Sequence, residues 1–195
     1  MVALSSITKN KDMEDNMILS TTAITETFTQ LGEIEALAKE AFPPKEFLAP
    51  ATLISMSKNK ELDFFALFDK QCLVGYMAVK THRNMAYLFF LAISPQYRSC
   101  GYGSRALETL KCLYPSMQQV VDLEMLDDTA DNIEQRKSRR AFYIRNGYKA
   151  TGQFLSYLGV DYEILCMDDK LDLMTFKEMM NTLHISGFCP KYFNL

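Results

Sequence analysis

Nine consecutive residues, "MAYLFFLAI" from Met85 to Ile93, carry no charge and a single hydroxyl. A strand that is apolar on both faces must be covered on both faces. The run is far too short to span a bilayer as a helix. It therefore predicts an inner strand of a sheet with helices on either side. Ser94 and Pro95 stop it, and "YRSCGYGSRALETLK" follows from Tyr97 to Lys111. Two glycines this close to a helix start are costly unless a bare backbone is needed there.

The flanking sequence fills in the frame. "ILSTTAIT" reads as a β-branched strand. Thr29 is placed to cap a helix through "QLGEIEALAKEAF", which Pro43 and Pro44 end. A short helix follows Pro50. "LDFFALFDKQCLVGYMAVKTH" reads as two strands around a turn at Asp69, Lys70 and Gln71, and His82, Arg83 and Asn84 make the next turn. After the glycine-containing loop comes a helix to about Tyr114. "QQVVDLEML" then alternates Val121, Leu123 and Met125 against Asp122 and Glu124. An acidic loop from Asp127 to Asp131 leads to a helix through "IEQRKSRRAFYIRN", closed by Gly147. "YKATGQFLSYL" and "VDYEILCMD" read as an antiparallel pair turning at Gly159. A last helix spans "LDLMTFKEMMNTLH", and the tail is "ISGFCPKYFNL". The order predicts an α/β (α+β) fold: a mixed, mostly antiparallel sheet with a central β-α-β crossover. Residues 1–17 read as an N-terminal extension, 18–168 as one domain, and 169–195 as a helix and tail packed on it.

Bulk properties narrow the class. The 195 residues carry a net charge of −3, with 48% hydrophobic and 23% charged residues. That balance gives no general attraction to nucleic acid or anionic membrane. The N-terminus lacks the long apolar stretch of a secretory signal, so a cytoplasmic location is expected. Five cysteines, none in a C-x-x-C pair, read as reduced thiols. His82 and His184 have no ligand partners at metal spacing, so no metal site is expected.

Strand, then Arg98-x-x-Gly101-x-Gly103, then helix is a phosphate-binding arrangement. Unpaired amides and the helix dipole at that end favour a pyrophosphate. Arg98 is placed either to add charge or to brace the loop. A loop whose glycines only permit a tight turn is the bland alternative. A Walker loop requires Gly-Lys-Ser/Thr, and Ser104 and Arg105 follow Gly103 here. A dinucleotide fingerprint tolerates Ala106 but opens a run of parallel units, and four strands precede this loop.

"LAISPQYRSCGYGSRALETL" resembles the acyl-CoA pyrophosphate motif of the GNAT N-acetyltransferase superfamily. "RRAFYIRNGYKATG" resembles that superfamily's second signature, with Tyr143, Gly147 and Tyr148 matching Tyr-x-x-x-Gly-Phe/Tyr. The two motifs stand about 40 residues apart, and the resemblance covers about Ile18 to Asp168. It implies an acetyl-CoA-dependent N-acetyltransferase working by direct transfer to a primary amine. Backbone groups of Leu91, Ala92 and Ile93 are then expected to bond the pantetheine arm and thioester. Amides across Arg98, Ser99, Cys100, Gly101, Tyr102, Gly103 and Ser104 are expected to hold the pyrophosphate. Tyr143 is expected to protonate the departing thiolate; the alternative is an aromatic that only packs. Arg136 stands where the family often has Asn and is a candidate contact to the cofactor, and Asn132 lies eleven residues before Tyr143.

An amine acceptor must lose a proton, and Glu124 is the candidate base, with Asp122 on the same strand face. Against this stands an exposed acidic strand face. With Asp127, Asp128 and Asp131, an acidic rim would favour a cationic acceptor. "EAFPPKEFLAP" lies where the family builds its acceptor wall, with Phe42, Phe47 and Leu48 as lining candidates; the alternative is a loop packed on the core. "QRKSRR" reads as a solvated helix face, a nucleic-acid contact, or a site where Arg139 or Arg140 meets a CoA phosphate. Cys100 lies in the phosphate loop, beyond expected reach of the thioester. The competing reading of the whole is a non-catalytic acyl-CoA-binding module. The acceptor, a small amine or a peptide, is not named by the sequence. The apolar tail, with Phe188, Tyr192 and Phe193, packs either within the chain or across a homodimer.

Overall fold

The computed structural model describes residues 18–44 and 46–194. The expected N-terminal extension, residues 1–17, lies outside the described residues. The elements are β1 (Ser20–Ala23), α1 (Leu31–Ala41), α2 (Pro50–Lys58), β2 (Asp63–Asp69), β3 (Cys72–His82), β4 (Met85–Ile93), a 3-10 turn (Pro95–Tyr97), α3 (Tyr102–Leu113), β5 (Gln118–Glu124), α4 (Ile133–Arg145), β6 (Lys149–Tyr157), β7 (Val160–Cys166), α5 (Leu173–Met180) and β8 (Lys191–Phe193). Strands pair in the order β1-β2-β3-β4-β5-β7-β6-β8. The β4–β5 pair is parallel, while β1–β2, β5–β7, β6–β7 and β6–β8 are antiparallel. This is the expected mixed, mostly antiparallel α/β sheet. No helix among the described residues is long and apolar enough to cross a membrane.

The chain forms two compact units, and β3 and β4 contribute to both. The first contains the described residues to Ile54, with Phe64–Met77 and Phe90–Pro115. Its core is built by Ile34, Leu37 and Ala38 of α1, Leu53 of α2, Phe64 of β2, and Ala106, Leu107 and Leu110 of α3, all buried. Phe42 packs edge-on against Phe90, with ring centroids 4.9 Å apart, and also meets Tyr76. The Leu19 amide donates to Thr109 Oγ1 at 2.8 Å and so ties the start of the unit to α3. At Gly75 the backbone of β3 comes so close to β4 that a Cβ would lie 2.1 Å from the Ala92 carbonyl oxygen. Only glycine fits that approach.

The second unit holds Ser55–Asp63, Ala78–Phe89 and Ser116–Leu195. Its parallel ladder is short, running from Met85↔Gln118 to Tyr87↔Val120. From there β5 pairs with β7 as far as Glu124↔Tyr162. The β6–β7 hairpin turns through Leu158 and Gly159, both at positive φ (51° and 77°), as a two-residue primed turn requires. Asp172 caps α5 by accepting from the Thr175 amide at 3.0 Å. That cap directs Phe176, Met179 and Met180 into the core. Burying Phe176 alone is worth roughly 1.5–3 kcal/mol. Its ring meets Tyr87 edge-on at 5.8 Å.

Several sequence expectations need correction. Thr29 does not cap α1. Gln30 occupies that place without a side-chain cap, because a turn bond from the Leu31 amide to the Phe28 carbonyl delays the helix start. The last helix is shorter than its pattern, starting after the Asp172 cap and ending at Met180. The tail contains a strand the sequence did not signal: β8 pairs with β6, from Phe154↔Phe193 to Ser156↔Lys191. The tail's aromatic side chains are engaged within the chain. Phe193 stacks on Phe154, Phe188 meets Tyr157, and Tyr192 meets Phe176.

Candidate active site

In the first unit, the connection after β4 is pinned at both ends. Ser99 and Gly101 adopt left-handed backbone, with φ 61° and 85°. Gly101 is the N-cap of α3 and brings no side chain to satisfy the first amides. The first helical bond runs from the Arg105 amide to the Gly101 carbonyl at 3.1 Å. The amides of Tyr102, Gly103 and Ser104 therefore lie in the first turn, where a helix leaves its donors for a ligand. Ser99, an L residue in the left-handed region, carries a strain of about 1–2 kcal/mol.

Arg98 braces this loop. Its Nε donates to the Ile93 carbonyl at 3.0 Å, and its two terminal nitrogens grip both oxygens of Glu40 on α1. Tyr102, the first residue of α3, donates its hydroxyl to Asp69 at 2.8 Å, and Arg105 meets the same carboxylate with both terminal nitrogens at 3.1 Å. These partners hold the Asp69 carboxyl down at about 2, against 3.8 for a free one. Cys100 is exposed, and all five cysteines are free thiols. Of the three residues that end β4, Ala92 is buried, and Leu91 and Ile93 are half-buried.

In the second unit, Glu124 and Asp122 lie two residues apart on β5 and so share a face. Neither belongs to an exposed acidic face. Glu124 is buried. Arg136 Nη2 lies 3.0 Å from its Oε1, and Arg139 Nη1 lies 2.9 Å from its Oε2. The Asn132 amide nitrogen is 3.3 Å from each oxygen. Arg136 also donates to the Asn132 side-chain oxygen and the Met125 carbonyl. Arg140 forks onto Glu163 of β7, at 2.7 and 3.0 Å. The run "QRKSRR" is thus not a solvated face throughout: all three of its arginines are committed to buried carboxylates of the same unit.

Asp122 sits in a different setting. Tyr87 donates to its Oδ1 at 2.6 Å and Tyr157 to its Oδ2 at 2.9 Å. Burial pushes its carboxyl up from the ordinary range, against the pull of the two phenols. Both phenols are pushed well up, chiefly by burial and then by the Asp122 charge. Tyr87 is the single hydroxyl of the apolar strand. That hydroxyl was visible in the sequence, but its partner was not.

Tyr143 lies on α4, four residues after Arg139 and seven after Arg136, so the three share one helix face. It is 6% exposed, with its ring edge-on to Phe142 and Tyr148 at 5.0 and 5.3 Å. Burial pushes its hydroxyl up, Arg139 opposes this, and the Asp122 charge adds to it. Tyr143, expected as the acid for the thiolate, and Glu124, expected as the base for the amine, thus belong to one unit, together with Asp122. Among the described residues, no group of three or more His, Cys, Asp or Glu is placed to hold a metal ion.

Comparison with known proteins agrees with this architecture. The family model described as "Acetyltransferase (GNAT) family" matches residues 28–148. No curated protein shows significant sequence similarity to the chain. Among solved structures, a GNAT-family protein from Bacteroides thetaiotaomicron superposes with a TM-score of 0.67 at 20% identity, covering 87% of this chain and 98% of its own. An aminoglycoside 6'-N-acetyltransferase complexed with coenzyme A gives 0.59 at 17%, covering 78% and 99%. The ribosomal-protein-alanine N-acetyltransferase of Escherichia coli gives 0.55 at 18%, covering 79% and 96%. At these identities the likeness shows the fold, while the family match spans most of the chain. The protein belongs to the acetyltransferase (GNAT) family.

Proposed function

We propose that the chain transfers an acetyl group directly from acetyl-CoA to a primary amine. The observation that carries this reading is the loop from Arg98 to Ser104, a left-handed turn at a helix start whose amides are left without a side-chain cap. Bound there, acetyl-CoA supplies an activated acyl group as a thioester. The chain's own residues do the rest. Amides across the loop hold the pyrophosphate, with the helix dipole adding roughly half a positive charge. Backbone groups of Leu91, Ala92 and Ile93 receive the pantetheine arm as a strand edge receives an added strand. Tyr143 gives its hydroxyl proton to the departing sulfur. Arg136 and Arg139, fixed on Glu124, set the helix face that presents Tyr143.

The related aminoglycoside enzyme was solved with coenzyme A, which supports a CoA donor here. The acceptor is a compound with a primary amine, small or peptidic. The experiment is thiol release from acetyl-CoA across polyamines, aminoglycosides, amino acids and lysine peptides. Release with at least one amine is expected. Tight acetyl-CoA binding without release across the panel would contradict transfer and identify a non-catalytic acyl-CoA-binding module.

A further inference from the structure

Two carboxylates share one face of β5, and the fold treats them in opposite ways. Glu124 has both oxygens matched by permanent cations, Arg136 and Arg139. That is the setting of a clamp between β5 and α4. Asp122 has no guanidinium or ammonium partner among the described residues. The groups that face it are phenols: Tyr87 from β4 and Tyr157 from β6 as direct donors, with Tyr143 of α4 and Tyr192 of β8 close enough to feel its charge. Tyr162 of β7 stacks behind Tyr157 at 4.2 Å. Two cations border these phenols: Arg139, which acts on Tyr143 and is itself bound by Glu124, and Lys177 of α5, whose Nζ lies 4.8 Å from the centre of the Tyr192 ring.

Position adds to this. Asp122 lies two residues past Val120, where the β4–β5 ladder ends. It is half-buried, while its neighbours Val121 and Leu123 are buried. Burial favours its neutral acid and two phenol donors favour its anion, the balance a proton-exchanging carboxyl needs. We propose that Asp122, rather than Glu124, takes the proton released by the acceptor nitrogen, with Tyr87 and Tyr157 holding its two oxygens in place; this rests on the acetyl-transfer reading. In the balanced step, the amine lone pair forms the C–N bond as the C–S bond breaks. One nitrogen proton passes to Asp122, and Tyr143 gives its hydroxyl proton to sulfur. Solvent then resets both groups, so amine plus thioester gives amide plus thiol.

The test is thiol release from acetyl-CoA with the amine the wild type turns over fastest, followed from about pH 5 to 9. Asp122→Asn is expected to lower kcat by about 10²–10³-fold, with acetyl-CoA affinity by calorimetry unchanged. Tyr157→Phe and Tyr87→Phe are expected to lower kcat by less than Asp122→Asn does and to move the acid limb of kcat/KM to higher pH, because each removes a donor that positions the carboxylate and favours its anion. Glu124→Gln is expected to lower thermal stability and leave that limb where it is. An Asp122→Asn enzyme retaining more than half of kcat would overturn the proposal. So would phenol variants with an unmoved acid limb, or loss of the limb in Glu124→Gln. If Asp122→Asn does not fold, the two phenol variants decide. A wild type that binds acetyl-CoA but turns over no amine would fail before any variant is made, and would sink the transfer reading and this proposal together.

Discussion

Arg98 and Glu40 form a forked ion pair, with Nη1 2.9 Å from Oε1 and Nη2 2.5 Å from Oε2. The pair joins the loop after β4 to α1, across 58 residues of sequence. Both side chains are nearly half exposed, and exposed pairs contribute little to stability, about 0.2–1 kcal/mol. Arg98→Ala is therefore expected to change the melting temperature by only a few degrees while weakening acetyl-CoA binding about tenfold, near 1.4 kcal/mol. Arg98→Lys should restore only part of the affinity, since an ammonium cannot grip two oxygens and a carbonyl together. Calorimetric titration with acetyl-CoA measures both, and unchanged affinity in Arg98→Ala would show that the brace does not serve the loop.

Tyr143 is the residue whose loss should separate binding from chemistry. A phenylalanine keeps the ring contacts to Phe142 and Tyr148 and removes only the proton donor. Tyr143→Phe is expected to lower kcat by about 10²–10⁴-fold with little change in stability or in acetyl-CoA affinity. Steady-state kinetics beside a thermal melt checks this. A variant with wild-type kcat would assign the ring to packing alone.

Gly75 is a test of backbone fit. Any side chain there must displace the Ala92 carbonyl, because its Cβ would lie 2.1 Å from that oxygen. The contact is with backbone, so no rotamer change relieves it. Gly75→Ala is expected to lower the melting temperature and to weaken acetyl-CoA binding, as β4 shifts where Leu91, Ala92 and Ile93 are assigned to the pantetheine arm. Equal affinity in wild type and Gly75→Ala would separate the end of β4 from the donor site.

Asp69 ties the end of β2 to α3 through Tyr102 and Arg105, and its carboxyl is held at about 2 instead of 3.8. A depressed carboxyl stabilises the fold fully above the unfolded value, and that stability is lost as pH falls through the folded one. Asp69→Asn is expected to melt below the wild type at neutral pH, with the gap closing between about pH 4 and pH 2. A gap that stays constant over that window would mean that the charge on Asp69 is not what holds the joint.

Some of this was legible in the sequence, and the limits have physical causes. The period-two run of β2 and β3, the apolar run of β4 and the hairpin at Gly159 each fix an element through local pattern alone. β8 was not legible, because "KYF" becomes a strand only by pairing with β6 and burying Phe193 on Phe154. On β5 the alternation gave the shared face of Asp122 and Glu124. It could not say which carboxylate would meet guanidinium groups, since that depends on how α4 turns Arg136 and Arg139 toward the strand. For the same reason "QRKSRR" looked like a solvated charge run. Tyr157 and Tyr87 reach Asp122 from 35 residues away on either side, a convergence that only the folded sheet creates.

The central claim is direct transfer from acetyl-CoA to an amine, and a single-turnover reaction analysed by mass spectrometry tests it most closely. Enzyme in excess over acetyl-CoA, mixed with an amine it accepts, should yield one acetylated amine for each CoA released, with the protein's own mass unchanged throughout. An acetyl group appearing on the protein before it appears on the amine, at the exposed Cys100 or elsewhere, would contradict direct transfer.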